Sequence, residues 1–260
     1  MRQQEPDPAW RLDGQVAVVT GAGGEIGAAV SMALGAAGAH VVCADLSTED
    51  AARMATRIAS AEAVRLDVTD PMAVTAVADA VVERLGRLDV WCNIAGIAGT
   101  AQPVADITDD AFERIFDVHV RGTLHGCRAA VRIMRPAGRG SIVNMSSEAI
   151  DIHPATVGSY AVSKAAIGML TRVLAAEVAA AGIRVNAVAP SFVPSELSLG
   201  HHTDDAKRES YLEWWRRKSP LHDLCTADDI AGQVVYLATQ ASQFVTGQTL
   251  RTNGGISMPW

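Results

Sequence analysis

Two residues at helical spacing carry the clearest chemical signal in this chain. Tyr160 and Lys164 lie four positions apart in a segment of helical pattern, so their side chains share one face. A tyrosine at its ordinary pKa of ~10 is a poor base at neutral pH. A lysine ammonium beside it favours the phenolate and lowers that value. Ser147, 13 residues before Tyr160, closes an apolar run and offers a hydroxyl that can hold a substrate oxygen. Together the three suit the interconversion of a carbinol and a carbonyl, with a redox cofactor exchanging the hydride. Y-x-x-x-K alone recurs by chance, and a lone Tyr160 also reads as a half-buried aromatic on a helix.

A second constellation stands near the N-terminus. Thr20-Gly21-Ala22-Gly23-Gly24-Glu25-Ile26-Gly27 follows an apolar run and opens a helical segment. Glycines there let the backbone turn sharply and approach a pyrophosphate, whose charge meets the helix N-terminus. The competing reading is a tight turn with no ligand. Asp45, 18 residues past Gly27, ends the next apolar run. Its carboxylate can accept bonds from both adenosine ribose hydroxyls and repels a 2′-phosphate, which selects NAD over NADP. Leu46 and Ser47 bring no cation for such a phosphate. Asp45 could instead cap a helix, but Ser47 already fills that role. Asp67-Val68 ends a third run, where a carboxylate could meet the adenine amino group.

Positioning these groups requires a particular alternation of elements. Residues 15–20, 39–45, 63–67, 88–96, 140–147, 183–190 and a short 247–252 read as strands, most of them apolar almost throughout. Such runs fit strands buried on both faces of a parallel sheet. Helical patterns fill 25–37, 48–60, 70–85, 109–135, 159–181, 205–218 and 227–239. The alternation predicts an α/β, Rossmann-like doubly wound sheet of about seven strands with helices on both faces. We expect a flexible N-terminal tail over 1–12 and a single catalytic domain over 13–260.

Composition narrows the partners. The chain has 260 residues, a formal net charge of −7, 49% apolar residues and only 5% aromatic. The acid excess argues against nucleic acid or a polybasic membrane contact. No run of about 18 apolar residues is present to span a bilayer. The N-terminal MRQQEPDPAW reads as no secretory signal. Cys43, Cys92, Cys127 and Cys225 show no C-x-x-C spacing. Three of them sit in apolar segments, which fits buried thiols and a cytoplasmic location. His201-His202 beside Asp204-Asp205 could suggest a metal, but adjacent residues splay apart and no further ligands stand at metal spacing, so no metal is expected.

In combination the motifs resemble the single-domain short-chain dehydrogenase/reductase family over residues 12–258. The resemblance rests on TGAGGEIG (20–27), Asp45, Asp67-Val68, Asn93-Ile94-Ala95-Gly96, NMSS (144–147), YAVSK (160–164) and RVNAVAP (184–190). It implies Tyr160 as acid/base, Lys164 as its pKa tuner and a ribose ligand, and Ser147 as substrate orienter. It places Gly21, Gly24, Glu25, Ile26, Gly27, Asp45, Leu46, Asp67 and Val68 along the cofactor. Asn93, Ala95 and Gly96 line its cleft, and Val188, Pro190, Val193 and Ser195 border the nicotinamide. It also implies a homotetramer or homodimer. Small apolar residues on more than one face of 159–181, such as Ala165, Ala166, Ala175, Ala176 and Ala179, fit that association.

Three departures stand out. Glu25 occupies the middle glycine position of T-G-x-x-x-G-x-G, and we expect its carboxylate to bond a backbone N–H at the helix start. His119 takes the place of an asparagine that holds a water on the path from the lysine to solvent. It is read as a substitute in the proton relay, against the plainer reading of a packed core histidine. Ser191 replaces a glycine after Pro190.

Residues 191–222 form the expected substrate lid. They hold four of the twelve aromatics, Phe192, Tyr211, Trp214 and Trp215, with 205–218 as an amphipathic helix. The tryptophans either close on substrate or pack on the core and a neighbouring subunit. Trp260 is a further candidate contact to a neighbour. Ile150 and His153 are candidate pocket residues. The function expected is an NAD-dependent oxidoreductase of a small-molecule secondary alcohol, with a hydroxysteroid, cyclic alcohol, polyol or 3-hydroxyacyl compound all fitting. A catalytically weak nucleotide-binding or sensing protein of the same fold is the alternative that Glu25 and His119 keep open. A dehydratase or epimerase needs a larger C-terminal substrate domain than the 70 residues after Pro190 supply.

Overall fold

The computed structural model describes residues 7–199 and 204–259. Seven strands build one all-parallel sheet: β1 (Val16–Thr20), β2 (His40–Asp45), β3 (Ala61–Arg65), β4 (Val90–Asn93), β5 (Gly140–Met145), β6 (Ile183–Pro190) and β7 (Thr249–Thr252). Their spatial order is β3-β2-β1-β4-β5-β6-β7. The order reverses at β1, which pairs with β2 on one side and β4 on the other. The crevice at that reversal is where ligands bind in open α/β sheets. β1 and β4 are wholly buried, which is why they are apolar without alternation.

Helices cover both faces. On one, α1 (Glu25–Ala36), α2 (Thr48–Ala55) and α10 (Ala227–Ala238) bury Val30, Leu34, Met54, Ile230, Val234 and Leu237 against the sheet. On the other, α3 (Pro71–Leu85), α5 (Gly122–Ala137) and α7 (Gly158–Val178) bury Val74, Val81, Cys127, Met134, Ala175 and Val178. The cysteines Cys43, Cys92 and Cys127 are buried and free. No helix among the described residues is long and apolar enough to cross a membrane.

Several expected boundaries move. The 48–60 helix stops at Ala55, because Ile58 turns to fill the space over Gly35, where a Cβ would lie 2.5 Å from its Cγ2. β3 therefore starts at Ala61 rather than residue 63. The 109–135 helix is broken into α4 (Asp109–Phe116), a π-helical turn (Asp117–Arg121) and α5, which carries on to Ala137. Residues 7–12 are no loose tail: Leu12 is fully buried, its N–H donates to Ala37 O at 2.8 Å, and Trp10 packs on Tyr236. Two short helices, α6 (Ala149–Ile152) and α8 (Glu196–Leu199), had no sequence signal. The helix over 205–218 forms as α9 (Asp205–Lys218), but none of its residues is buried. His201, His202 and Trp260 lie outside the described residues.

Candidate active site

The β1–α1 turn is held by sterics and by one carboxylate. Gly21 adopts φ +67°, and a Cβ there would lie 2.7 Å from Ala95 Cα. A Cβ on Gly27 would sit 2.0 Å from the carbonyl oxygen of Gly21, so no side chain fits. A Cβ on Gly24 meets nothing closer than 3.5 Å. A Cβ on Gly23 would lie 2.4 Å from Asp50 Cβ, so the tightness resides at positions 21, 23 and 27. Glu25 is the exposed first residue of α1, and partial burial pushes its carboxyl up. It makes none of the hydrogen bonds of the described residues, so the expected bond to a backbone N–H is not formed. A residue at the first helical position projects outward, past the N–H groups it was expected to reach.

Asp45 latches this turn to β2. Its Oδ2 accepts from Gly23 N–H at 2.8 Å and its Oδ1 from Ser47 N–H at 3.0 Å. The cap of α2 is Ser47, whose hydroxyl accepts from Asp50 N–H. Leu46, next to Asp45, is exposed, and Ile26 packs against the core. The Thr20 hydroxyl ties the ends of β1 and β4 by accepting from Ile94 N–H and Ala95 N–H at 3.1 and 3.2 Å. Asp67 accepts from both the N–H and the hydroxyl of Thr69, which hold its carboxyl below the ordinary range.

Thr20, Val68, Asn93, Ala95, Val118, Gly122 and Thr123 line a small cleft between these strand ends. Val68, Asn93 and Ala95 were expected there. Val118, Gly122 and Thr123 were not, although Gly122 was readable: a Cβ there would lie 2.9 Å from Val68 Cγ2. The Asn93 side chain lies between the sheet and α5, where a Cβ on Gly126 would sit 2.0 Å from its Oδ1. Its Oδ1 accepts from Trp91 Nε1 and its Nδ2 donates to Asn144 Oδ1, both at 2.8 Å.

Tyr160, Lys164, Ser147 and His119 meet across the head of α7. The Lys164 ammonium is buried, donates to Met145 O at 3.0 Å and lies 5.6 Å from the centroid of the Tyr160 ring. Burial pulls its pKa down to about 8. Burial pushes the Tyr160 phenol up, and a hydrogen bond with Ser147 pulls against it. Desolvation therefore outweighs the expected downward pull of the lysine, and Tyr160 rests as the protonated acid. The Ser147 hydroxyl also accepts from Ala149 N–H at 3.2 Å.

His119 stands in the π-helical turn and is buried, with its ring 5.5 Å from the Tyr160 ring, edge to face. Its Nδ1 is 2.9 Å from Ser163 Oγ, and its Nε2 lies 3.0 Å from Ile97 N and 3.1 Å from Ile97 O. Burial and the nearby Lys164 hold its pKa down to about 2. Neither ring nitrogen bonds Lys164, and a ring so hard to protonate is a poor carrier. The structure thus favours the plainer reading of His119 over the relay. A Cβ on Gly96 would sit 3.2 Å from His119 Nε2 and 3.8 Å from Lys164 Nζ, so these three meet at one point.

Other expected contacts are spread out. Pro190 ends β6 and accepts from Glu148 N–H at 2.8 Å. Val193 is buried in the core, and the Ser195 hydroxyl engages Ser198 at the start of α8. Ile150 is half-buried on α6, while His153 is exposed with φ +47°. Trp215 stacks on Phe192 at 5.1 Å and meets Trp214 edge to face at 5.0 Å. Lys218 caps both indoles. The two tryptophans therefore pack within the segment itself, not on the sheet core. A cavity of about 700 Å³ opens along α9, lined by Asp204, Ala206, Lys207, Ser210, Tyr211 and Trp214. Ser147, Tyr160, Lys164 and His119 do not border it.

One linkage escaped sequence reading. Glu148, next to Ser147, is buried, and its Oε1 accepts from Asn253 Nδ2 and Ser257 Oγ at 2.9 Å each. Beside it, Arg251 grips Asp151 with two bonds of 2.6 and 3.1 Å. The 253–257 segment is thereby fastened to the serine loop.

Residues 21–257 match a family model described as enoyl-(acyl carrier protein) reductase, within the short-chain dehydrogenase/reductases. The chain is 37% identical to a galactitol 2-dehydrogenase (L-tagatose-forming) of Cereibacter sphaeroides, over 96% of this chain and 97% of that one. It is 34% identical to a D-threitol dehydrogenase of Mycolicibacterium smegmatis, over 96% and 95% of the two chains. It superposes with a TM-score of 0.88 and 32% identity on a gluconate 5-dehydrogenase of Burkholderia cenocepacia solved with NADP and tartrate, covering 96% and 97%.

Proposed function

The chain belongs to the short-chain dehydrogenase/reductase family and is an oxidoreductase of secondary alcohols and ketones, and on that premise we propose that it uses NAD to oxidise one secondary hydroxyl of a polyol. The observation that carries the reading is the placement of Ser147, just past β5, beside Tyr160 and Lys164, on the same C-terminal edge of the parallel sheet as the Asp45-latched glycine turn that follows β1.

The residues fit a nicotinamide dinucleotide. Gly21 and Gly27 make a cradle in which a Cβ cannot stand, at the N-terminus of α1. Asp45 ends β2 with its carboxylate fixed at the rim, and a carboxylate there opposes a 2′-phosphate. NADP in the gluconate 5-dehydrogenase neighbour makes this preference a point for direct measurement. The polyol rests on the relatives named for galactitol and threitol.

The bound nicotinamide supplies the hydride acceptor. The Ser147 hydroxyl holds the substrate oxygen. In oxidation Tyr160 first gives up its own proton and then, as the phenolate, takes the substrate hydroxyl proton; in reduction the phenol donates its proton to the carbonyl oxygen. Lys164, charged below about pH 8, favours the phenolate that proton transfer requires.

The exposed apolar residues Val162, Met169 and Val173 on α7 support a homotetramer or homodimer. Buried free thiols fit a reducing, cytoplasmic compartment. The test is nicotinamide absorbance during incubation with galactitol, threitol, cyclic alcohols and a hydroxysteroid, with NAD and NADP in parallel. The reading expects turnover with NAD and a polyol, abolished by Tyr160→Phe. Turnover that survives Tyr160→Phe, or that strictly requires NADP, overturns it.

A further inference from the structure

Counting protons around His119 fixes its tautomer. The Ser163 hydroxyl has one hydrogen, and it donates to Tyr160 O at 2.7 Å. The His119 Nδ1 contact at 2.9 Å must then be a bond that the hydroxyl accepts, so Nδ1 carries the proton. Nε2 is left as an acceptor, and Ile97 N–H points at it from 3.0 Å. This arrangement makes three bonds. The other neutral tautomer makes two: Ser163 turns to donate to Nδ1 and abandons Tyr160 O, Nε2–H donates to Ile97 O, and Ile97 N–H is left unpaired. Ile97 is half-buried, so leaving its N–H unpaired costs up to about 1–3 kcal/mol. A doubly protonated ring would place a cation in a buried site beside Lys164.

We propose that His119 is a positioning residue, locked as the Nδ1–H tautomer, which joins the backbone at Ile97 through Ser163 to the carbonyl of Tyr160. The link rests on the reading of Tyr160 as the acid/base. One end of it holds the loop that leaves β4 past Gly96. The other holds the first turn of α7, which carries both Tyr160 and Lys164. The π-helical turn makes the link possible, since one extra residue per turn redirects a side chain that a regular helix would leave on another face. Misplacing a catalytic group by about 1 Å costs on the order of 100-fold in rate.

Two substitutions divide the link. Asparagine at 119 can place a donor near the Nδ1 position, and alanine at 163 removes the hydroxyl that would accept from it. With ring-15N histidine, the His119 signals are assigned by their loss in His119→Asn. They should show a protonated Nδ1 and a bare Nε2, unchanged from pH 5 to 9. An Nε2–H tautomer, or a ring that titrates in that range, overturns the assignment without reference to any substrate. In turnover, His119→Ala should lower kcat about 10- to 100-fold, equally at every pH, with KM within about twofold. His119→Asn should recover part of the loss, and Ser163→Ala should remove that recovery. A kcat loss confined to one limb of the pH profile makes His119 a proton carrier instead. Full kcat in His119→Ala removes the positioning role.

Discussion

Replacing Lys164 by methionine should stabilise the fold while silencing the enzyme. Burial lowers the ammonium from 10.5 to about 8. At about 1.4 kcal/mol per tenfold, holding the charged form in the folded chain costs roughly 3 kcal/mol below pH 8. Methionine has similar length and carries no charge into the site. It loses the Lys164 Nζ bond to Met145 O, worth about 1.5–3 kcal/mol from a charged donor, so Lys164→Met should gain up to about 2 kcal/mol at pH 7. The sign follows from proton uptake. Between pH 8 and 10.5 the unfolded chain binds a proton at this lysine that the folded chain does not, so wild-type stability rises with pH across that window. The advantage of the variant should therefore shrink from pH 8 and be gone near pH 10.5. Urea unfolding of the cofactor-free protein measures this, at one fixed chain concentration because association shifts the midpoint. A variant less stable than wild type at pH 7, or a difference that does not change between pH 7 and 10, refutes the argument that the ammonium is held at a cost.

Asp45→Ser should lower the ratio of kcat/KM with NAD to that with NADP by about 10- to 100-fold, since unit charges about 4 Å apart near a surface interact by roughly 1–4 kcal/mol; an unchanged ratio places discrimination elsewhere. Glu25→Gln should tighten NADH binding about two- to fivefold in low salt, with the gain fading at high salt, as fluorescence titration would show. Asp89 is buried; burial pushes its carboxyl up, but Arg87, Val16 N–H and Arg139 together hold it below the ordinary 3.8. A carboxyl lowered by folding adds stability at neutral pH that is lost as pH falls through its folded value. Asp89→Asn should therefore cost about 3 kcal/mol at pH 7 and progressively less in acid, measured by urea midpoints from pH 7 to 3.

The juxtaposition of Tyr160 and Lys164 was legible because a helix puts residues four apart on one face whatever surrounds them. Asp45 was legible because strand length fixes where a run ends. The small cleft was partly legible: Val68, Asn93 and Ala95 follow strand ends, while Val118 and Thr123 enter only because the chain inserts a π-helical turn that no 3.6-residue period announces. The same turn decides what His119 touches, Ser163 and Ile97 rather than Lys164, and no position count along the chain announces that set. Glu148 was out of reach for another reason. Its partners Asn253 and Ser257 lie more than 100 positions along the chain, and only the folded sheet brings them together. Glu25 failed on direction: a first-turn residue was named correctly, but not where its side chain points.

The three positions to which the T-G-x-x-x-G-x-G pattern assigns glycine, 21, 25 and 27, face unequal futures. Gly21 and Gly27 are fixed by backbone atoms 2.7 and 2.0 Å from where a Cβ would be, and neighbouring backbone cannot yield. Position 25 points outward, and a glycine codon there becomes a glutamate codon by one nucleotide change. A lineage can make that step without disturbing the turn and feel it only as added negative charge near an anionic ligand. Drift at 25 thus tunes how long a dinucleotide stays bound, whereas drift at 21 or 27 ends the site.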